Sequence, residues 1–198
     1  MFFSDAVVAI AITLIVLPLV DSARELDGRP AVSFLRENHT ALIAAAISFA
    51  VIGGYWRAHH RLFSRAEGYT RSVMQANLYW LAGIMAVPVV TVLFVSGSGR
   101  DRLGLGLYLG VILAVRILLM TEELLLAGAG LLGAERLGRR VVLRHVIPAG
   151  LIVVALVTAM IHPAWSMWPV VVLALERPLG VLLDVRGSGR APAGDATT

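Results

Sequence analysis

Apolar side chains recur in long runs along almost the whole chain, and short clusters of arginine and acidic residues separate the runs. Most runs are long enough to cross a hydrocarbon core of ~30 Å as a helix that rises about 1.5 Å per residue. The pattern therefore predicts an all-α integral membrane protein with six transmembrane helices. The six segments lie at residues 4–20, 40–58, 76–95, 103–120, 145–161 and 164–183.

The first segment is apolar almost throughout, but it starts with the polar pair Ser4-Asp5. On a helix with about 100° per residue, six of its positions fall within roughly 100° of one another and form one face. Asp5 points about 140° away from Ile10, so it is predicted to face a neighbouring helix. By periodicity alone, such a face is an ordinary packing or lipid-facing surface. The residues of this face are Ala6, Ile10, Thr13, Leu14, Leu17 and Asp21.

The composition agrees with this class of protein, because 58% of the residues are hydrophobic and only 15% are charged. Soluble domains have about 25% charged residues. We therefore predict one six-helix membrane domain over residues 1–186. Residues 187–198 are rich in glycine, alanine and proline without apolar periodicity, which predicts a disordered cytoplasmic tail. The chain has no cysteine, which excludes disulfides and thiolate metal sites.

All seventeen basic residues are arginine, and their distribution predicts how the chain crosses the membrane. With the N-terminus inside, twelve arginines fall on the cytoplasmic side and five on the opposite side. Cytoplasmic loops carry the excess of basic residues in membrane proteins. Both termini are therefore predicted to be cytoplasmic in a multi-pass protein of the cell membrane. Insertion topology accounts for the basic loops, so no nucleic-acid partner is predicted.

Three stretches depart from the simple pattern of spans and loops. The connection between the first two spans is a loop by default, and the alternative is that it holds a short interfacial helix around Ala31–Glu37. Arg116 and the Glu122-Glu123 pair interrupt the fourth span near its predicted cytoplasmic end, where long side chains snorkel to the interface. The apolar stretch Ile117–Gly133 either extends the fourth helix or runs along that interface.

Polar residues at the start of the first helix and the end of the second are predicted to meet at one membrane face. Asp5 is then within reach of Trp56, His59 or His60, and Asn77 near the start of the third helix can join them. A buried carboxylate needs hydrogen-bond donors, which indole and imidazole N–H groups supply. We call this predicted hydrogen-bonded cluster the clasp. It is favoured over a metal site, because no third ligand has a diagnostic spacing.

Several other functions are disfavoured by the motifs that the chain lacks. It has no phosphate-binding loop of the Gly-x-x-x-x-Gly-Lys-Ser/Thr type, no Gly-x-Ser-x-Gly elbow and no His-Glu-x-x-His pair, so an enzyme is not predicted. Gly54-Tyr55 invites comparison with the carbonyl-lined filter of ordinary potassium channels. That filter is a re-entrant loop, whereas this segment continues a helix into a basic end.

Taken together, the motifs of the first two helices resemble those of the bacterial members of the transmembrane protein 175 family, which are potassium channels related to the lysosomal one. The specific motifs cover only the first third of the chain. The family usually carries an arginine shortly before the Phe-Ser-Asp motif, whereas Met1 and Phe2 stand there in this chain. The matching residues are Phe3-Ser4-Asp5, Ala9-Ile10, Thr13-Leu14, Leu17, Tyr55-Trp56 and His59-His60.

The resemblance implies a homotetramer in the lipid bilayer, in which the first helices surround a central pore without a filter loop. The family's constrictions map onto Ile10, Leu14 and Leu17, and its threonine layer maps onto Thr13. Phe3-Ser4-Asp5 would lock the first helix to its neighbours, so that Phe3 and Ser4 join the clasp. Potassium is the implied permeant ion, and no cofactor or metal is implied.

Three functional hypotheses follow for the chain. The first is a potassium-selective or weakly selective cation channel with a hydrophobic constriction, in which Asp21 at the outer mouth concentrates cations. The alternative is a proton-coupled secondary transporter that uses Asp5 and the histidines, although the chain lacks an inverted repeat. The third is a structural membrane protein without transport activity.

Overall fold

The computed structural model describes residues 2–97, 101–132 and 149–158, and within these ranges the chain forms helices joined by turns, without a β-strand. Four stretches of the described residues are long and apolar enough to cross a membrane, namely Phe2–Arg24, His39–Phe63, Arg71–Ser96 and Arg102–Gly128. The helices are α1 (Phe2–Leu14), α2 (Leu17–Arg24), α3 (Ala31–Glu37), α4 (His39–Phe63), α5 (Arg71–Ser96), α6 (Arg102–Gly128) and α7 (Ala149–Thr158).

The all-α class and the first four predicted spans are confirmed, whereas the total of six remains a prediction. Helix α7 covers ten residues inside the predicted fifth span, 145–161. The sixth span, 164–183, and the tail, 187–198, lie outside the described residues. The connection between the first two spans, a loop by default in the sequence analysis, contains helix α3 at Ala31–Glu37, which was the alternative.

The prediction of one continuous helix over residues 4–20 is wrong, because the chain turns at Ile15 and Val16 between α1 and α2. Pro18 in the first turn of α2 explains the break. Its ring lacks an N–H group and collides with the carbonyl of the residue four positions earlier, which ends a preceding helix. The backbone instead closes a tighter turn, in which Val16 N donates to Thr13 O at 3.2 Å.

Helix α6 settles the choice left open for the stretch after Arg116, since it runs unbroken to Gly128. Gly130 follows with a φ of 69°, a left-handed conformation that commonly ends helices. At the other end, the Asp101 side chain accepts a hydrogen bond from Leu103 N at 3.0 Å and caps the helix. The acidic pair near the end of α6 is therefore part of a regular transmembrane helix.

Helix α5 lies at the centre of the bundle and packs against α1, α4 and α6. Its core side chains include Trp80, Ile84 and Val87, which have no exposed surface. A buried hydroxyl layer joins three of the helices, because Ser48 Oγ on α4 lies 2.9 Å from Thr91 Oγ1 on α5 and 3.2 Å from Tyr108 Oη on α6. These contacts make α4, α5 and α6 the support on which α1 rests.

Candidate functional site

Helix α1 contacts the rest of the bundle through one stripe of small and aliphatic residues. Ser4, Val8, Ala11 and Ile15 are buried, with Ala11 completely so. Their spacing of four, three and four residues places them on one side of a helix. The stripe packs against α5 and α4, so these contacts fix which side of α1 faces away from the bundle.

The opposite side of α1 and the first residue of α2 carry the residues predicted to line a pore, and the described part of the chain leaves all of them exposed. Ile10 is 57% exposed, and Leu14 and Leu17 are 42% and 51% exposed. Thr13 is also exposed, and its hydroxyl donates to Ile10 O at 2.8 Å. An aliphatic face that the described residues leave uncovered is suited to contact with lipid or with another subunit.

Asp21, predicted at the outer mouth, lies on α2 beyond the helix break and is exposed. Its Oδ1 atom is 3.4 Å from Arg24 Nη1 on the same helix. This exposed ion pair is weak, because water screens both charges. The arginine nevertheless offsets part of the negative charge that Asp21 presents.

The first contact of the clasp joins α1 to α4. Trp56 Nε1 donates a hydrogen bond to Asp5 Oδ1 at 2.8 Å. Asp5 is half-buried, and the carboxylate receives the indole N–H that the sequence offered as one of three donors. His60, another of those donors, is exposed and instead lies beside the Trp56 ring, with 5.5 Å between ring centroids.

The second contact of the clasp joins three helices in a chain of hydrogen bonds. Asn77 Nδ2 on α5 donates to Ser4 Oγ on α1 at 3.2 Å, and Asn77 Oδ1 lies 2.8 Å from His59 Nε2 on α4. A carbonyl oxygen only accepts, so Nε2 of His59 carries the hydrogen. The His59 ring is also stacked on Trp80, with centroids 4.2 Å apart, which fixes its orientation.

Five of the seven proposed clasp residues are therefore brought together by hydrogen bonds, in two separate groups. Phe3 is 65% exposed and lies on the side of α1 that faces away from the bundle. The clasp contacts place the start of α1, the end of α4 and the start of α5 at one end of the molecule. We call this the clasp end.

Glu122 on α6 also lies at the clasp end, near His59, and the sequence analysis did not include it in the clasp. The expectation that Glu122 and Glu123 snorkel to the interface is wrong, because they are 0% and 6% exposed inside the bundle. Glu122 Oε2 lies 3.9 Å from His59 Nε2. The available signal was the acid itself, since ionisable residues within membrane helices usually face the interior.

The hydrogen bond between Trp56 and Asp5 can be tested separately from the other contact of the clasp. Trp56→Phe removes the N–H donor and keeps an aromatic ring, so the unfolding free energy should fall by about 1.5–3 kcal/mol. Unfolding followed by circular dichroism in detergent measures the change. The Asp5→Ala variant and the double variant complete a cycle, and additive losses would show that the pair is not coupled.

Residues 1–88 match the profile of the family described as "Endosomal/lysosomal potassium channel TMEM175". This segment contains every predicted pore and clasp residue. A potassium channel of Streptomyces collinus is 36% identical over 101 residues, which cover 50% of this chain and 48% of that protein. One from a Chryseobacterium species is 35% identical over 89 residues, 45% and 44% of the two chains.

A third potassium channel, from Chamaesiphon minutus, is 33% identical over 118 residues, 58% of each chain. The aligned regions thus span about half the length of these curated relatives.

Proposed function

We propose that the protein is a potassium channel in which α1 lines the pore, and the match of residues 1–88 to the family described as the endosomal/lysosomal potassium channel TMEM175 supports this proposal. The observation that carries the proposal is the division of α1 into two sides. One side is buried against α4 and α5 and anchored by the clasp, while the other presents uncovered aliphatic residues.

The proposed oligomer explains how the aliphatic residues on the uncovered side of α1 are covered. Four subunits arranged around an axis place four copies of Ile10, Leu14 and Leu17 in successive rings. Each subunit then covers part of the aliphatic surface of its neighbours, while α4 and α5 behind α1 hold the ring in place. The proposed assembly is a homotetramer in the lipid bilayer.

Ion selection in such a pore depends on the water that surrounds each cation. A narrow aliphatic ring offers no ligands, so an ion must shed part of its hydration shell to pass, and a hydrophobic constriction also closes by dewetting. Potassium holds its water less strongly than sodium, so partial dehydration favours potassium. The Thr13 oxygens supply polar contacts between the rings, because their hydrogens are donated to Ile10 O.

The orientation proposed for the channel places the clasp end in the cytoplasm. Arg57 lies between the clasp residues Trp56 and His59, and Arg61 and Arg65 follow them, as expected for the side with the excess of basic residues. Asp21 would then lie at the outer mouth, where its carboxylate attracts cations and Arg24 limits the effect. The proposed location is the cell membrane, with both termini cytoplasmic.

Ion flux in liposomes tests this function. The full chain is reconstituted with a potassium or a sodium gradient, and empty liposomes are the control. We expect non-saturating cation flux that is faster for potassium and needs no proton gradient. Saturating flux that requires a proton gradient would instead indicate a secondary transporter, and a folded tetramer without flux would indicate a structural protein.

A further inference from the structure

Glu122 is a fully buried acid whose role neither the pore nor the clasp explains. Within the part of the chain that the structure describes, neither of its carboxyl oxygens has a hydrogen-bond partner. The nearest basic atom is Nε2 of His59, at 3.9 Å, which is beyond hydrogen-bond distance. That nitrogen donates its hydrogen to Asn77 Oδ1 at 2.8 Å instead.

This arrangement restricts the charge that Glu122 and His59 carry together. An ionised carboxylate in an apolar interior is strongly unfavourable unless it is paired or protonated. The pair is electrically neutral as a carboxylic acid beside a neutral imidazole, or as a carboxylate beside an imidazolium. Each of these two forms holds one proton more than a carboxylate beside a neutral imidazole. A neutral buried pair therefore requires that proton, whichever side chain carries it.

Other charged groups at the clasp end act on the pair less directly. Asp5 on α1 and His60 on α4 influence His59 electrostatically. On α6, Glu123 and Arg116 have interactions of their own. Helix α5 contributes the side chains of Asn77 and Trp80, which do not titrate.

We propose that Glu122 is a positioning residue for α1: the buried pair of Glu122 and His59 retains one proton and so stays neutral, which leaves His59 in place to hold Asn77 and Ser4. Loss of the proton leaves a buried carboxylate beside a neutral ring. The pair then separates or admits water, and the hydrogen bonds from His59 through Asn77 to Ser4 weaken. The effect on ion flow rests on the proposed function, whereas the effect on stability does not.

The pH dependence of unfolding tests whether the buried pair retains this proton. In the unfolded chain, the two side chains titrate with ordinary pKa values of about 4.3 and 6.5, so above about pH 6.5 the unfolded pair holds no proton. The folded pair still holds one there, so stability must fall as the pH rises. The unfolding temperature of the wild type should fall by about 3–5 °C per pH unit relative to Glu122→Gln.

The Glu122→Gln variant keeps the shape of the side chain and removes the proton that the pair retains, so its profile should stay flat above about pH 6.5. Glu25→Gln is the matched control, because it makes the same change at an exposed acid, and it should follow the wild type. Superimposable profiles for the wild type and Glu122→Gln would overturn the proposal. If the variant does not fold, a wild-type profile that is flat above that pH overturns it.

Potassium flux, measured on the same proteins in liposomes, separates this inference from the channel proposal. We expect the preference for potassium over sodium to decline as the pH rises in the wild type but not in Glu122→Gln. If the unfolding profiles of the wild type and Glu122→Gln differ as expected but neither protein shows flux, the proposal that Glu122 and His59 retain a proton stands and the channel proposal fails. If flux is present and the two unfolding profiles coincide, the proposal that Glu122 and His59 retain a proton fails and the channel proposal stands.

Discussion

Ile10→Asn should raise potassium flux through reconstituted liposomes by at least roughly tenfold, the effect of a barrier lowered by ~1.4 kcal/mol. Ile10 is the most exposed of the three aliphatic residues in the proposed constriction, at 57%. In a tetramer, the substitution replaces a ring of four aliphatic side chains with four amides. The amides hold water in the constriction, which removes the dewetting barrier.

The same change should also reduce the preference for potassium over sodium. A wetted ring lets both cations pass with more of their hydration water, so the difference in dehydration no longer separates them. Fluxes from matched potassium and sodium gradients, measured on one preparation, give the ratio directly. The expected result is faster flux for both ions and a smaller ratio.

Ile43→Asn is the matched control for this experiment. Ile43 is 48% exposed, and it lies on α4 rather than on the proposed pore helix. An amide there faces lipid or a neighbouring subunit and should leave the ion ratio unchanged. Equal behaviour of the two variants, or wild-type flux from Ile10→Asn, would contradict the assignment of Ile10 to the pore.

The sequence predicted the division of α1 into faces because both faces depend only on helical periodicity. The positions that share a side with Ile10 are uncovered, and the positions on the other side, such as Val8 and Ala11, are buried. Periodicity gives no information about which partner covers an apolar face. The assignment of one face to a pore therefore came from the resemblance and stays a prediction.

The break between α1 and α2 illustrates a local effect that hydropathy averages conceal. Residues 4–20 are apolar almost throughout, so the hydropathy pattern predicts one helix, although Pro18 near the end of the stretch removes a backbone donor. For Asp21 the consequence is direct. The ideal helical angle that placed it on the face of Ile10 does not apply across a break.

For Glu122, the sequence analysis named the residue but predicted the wrong environment for its side chain. An acid near the end of a span can reach the interface or turn inward, and the sequence does not distinguish these outcomes. The deciding fact is the packing of α6 against α5, which leaves Glu122 without exposed surface near His59. Contacts between distant segments of this kind are not encoded in local spacing.

Asn77→Leu should lower the unfolding free energy by about 2–6 kcal/mol, the largest stability loss expected from one substitution in the clasp. Asn77 links α5 to two other helices in the described structure, because it is hydrogen-bonded to Ser4 on α1 and to His59 on α4. Leucine has a similar size but makes neither bond. Ser4 and His59, which are 5% and 3% exposed, then remain buried without these partners.

Gln75→Leu is the control for this prediction, because it also replaces an amide with leucine on α5 but at an exposed position. Its effect should stay within about 0.5 kcal/mol. Ser4→Ala removes only the bond between α1 and Asn77, so its loss should lie between those of the two leucine variants. Unfolding in detergent, followed by circular dichroism, ranks the three. If Asn77→Leu were as stable as Gln75→Leu, packing of the Val8 and Ala11 stripe alone would hold α1 on the bundle.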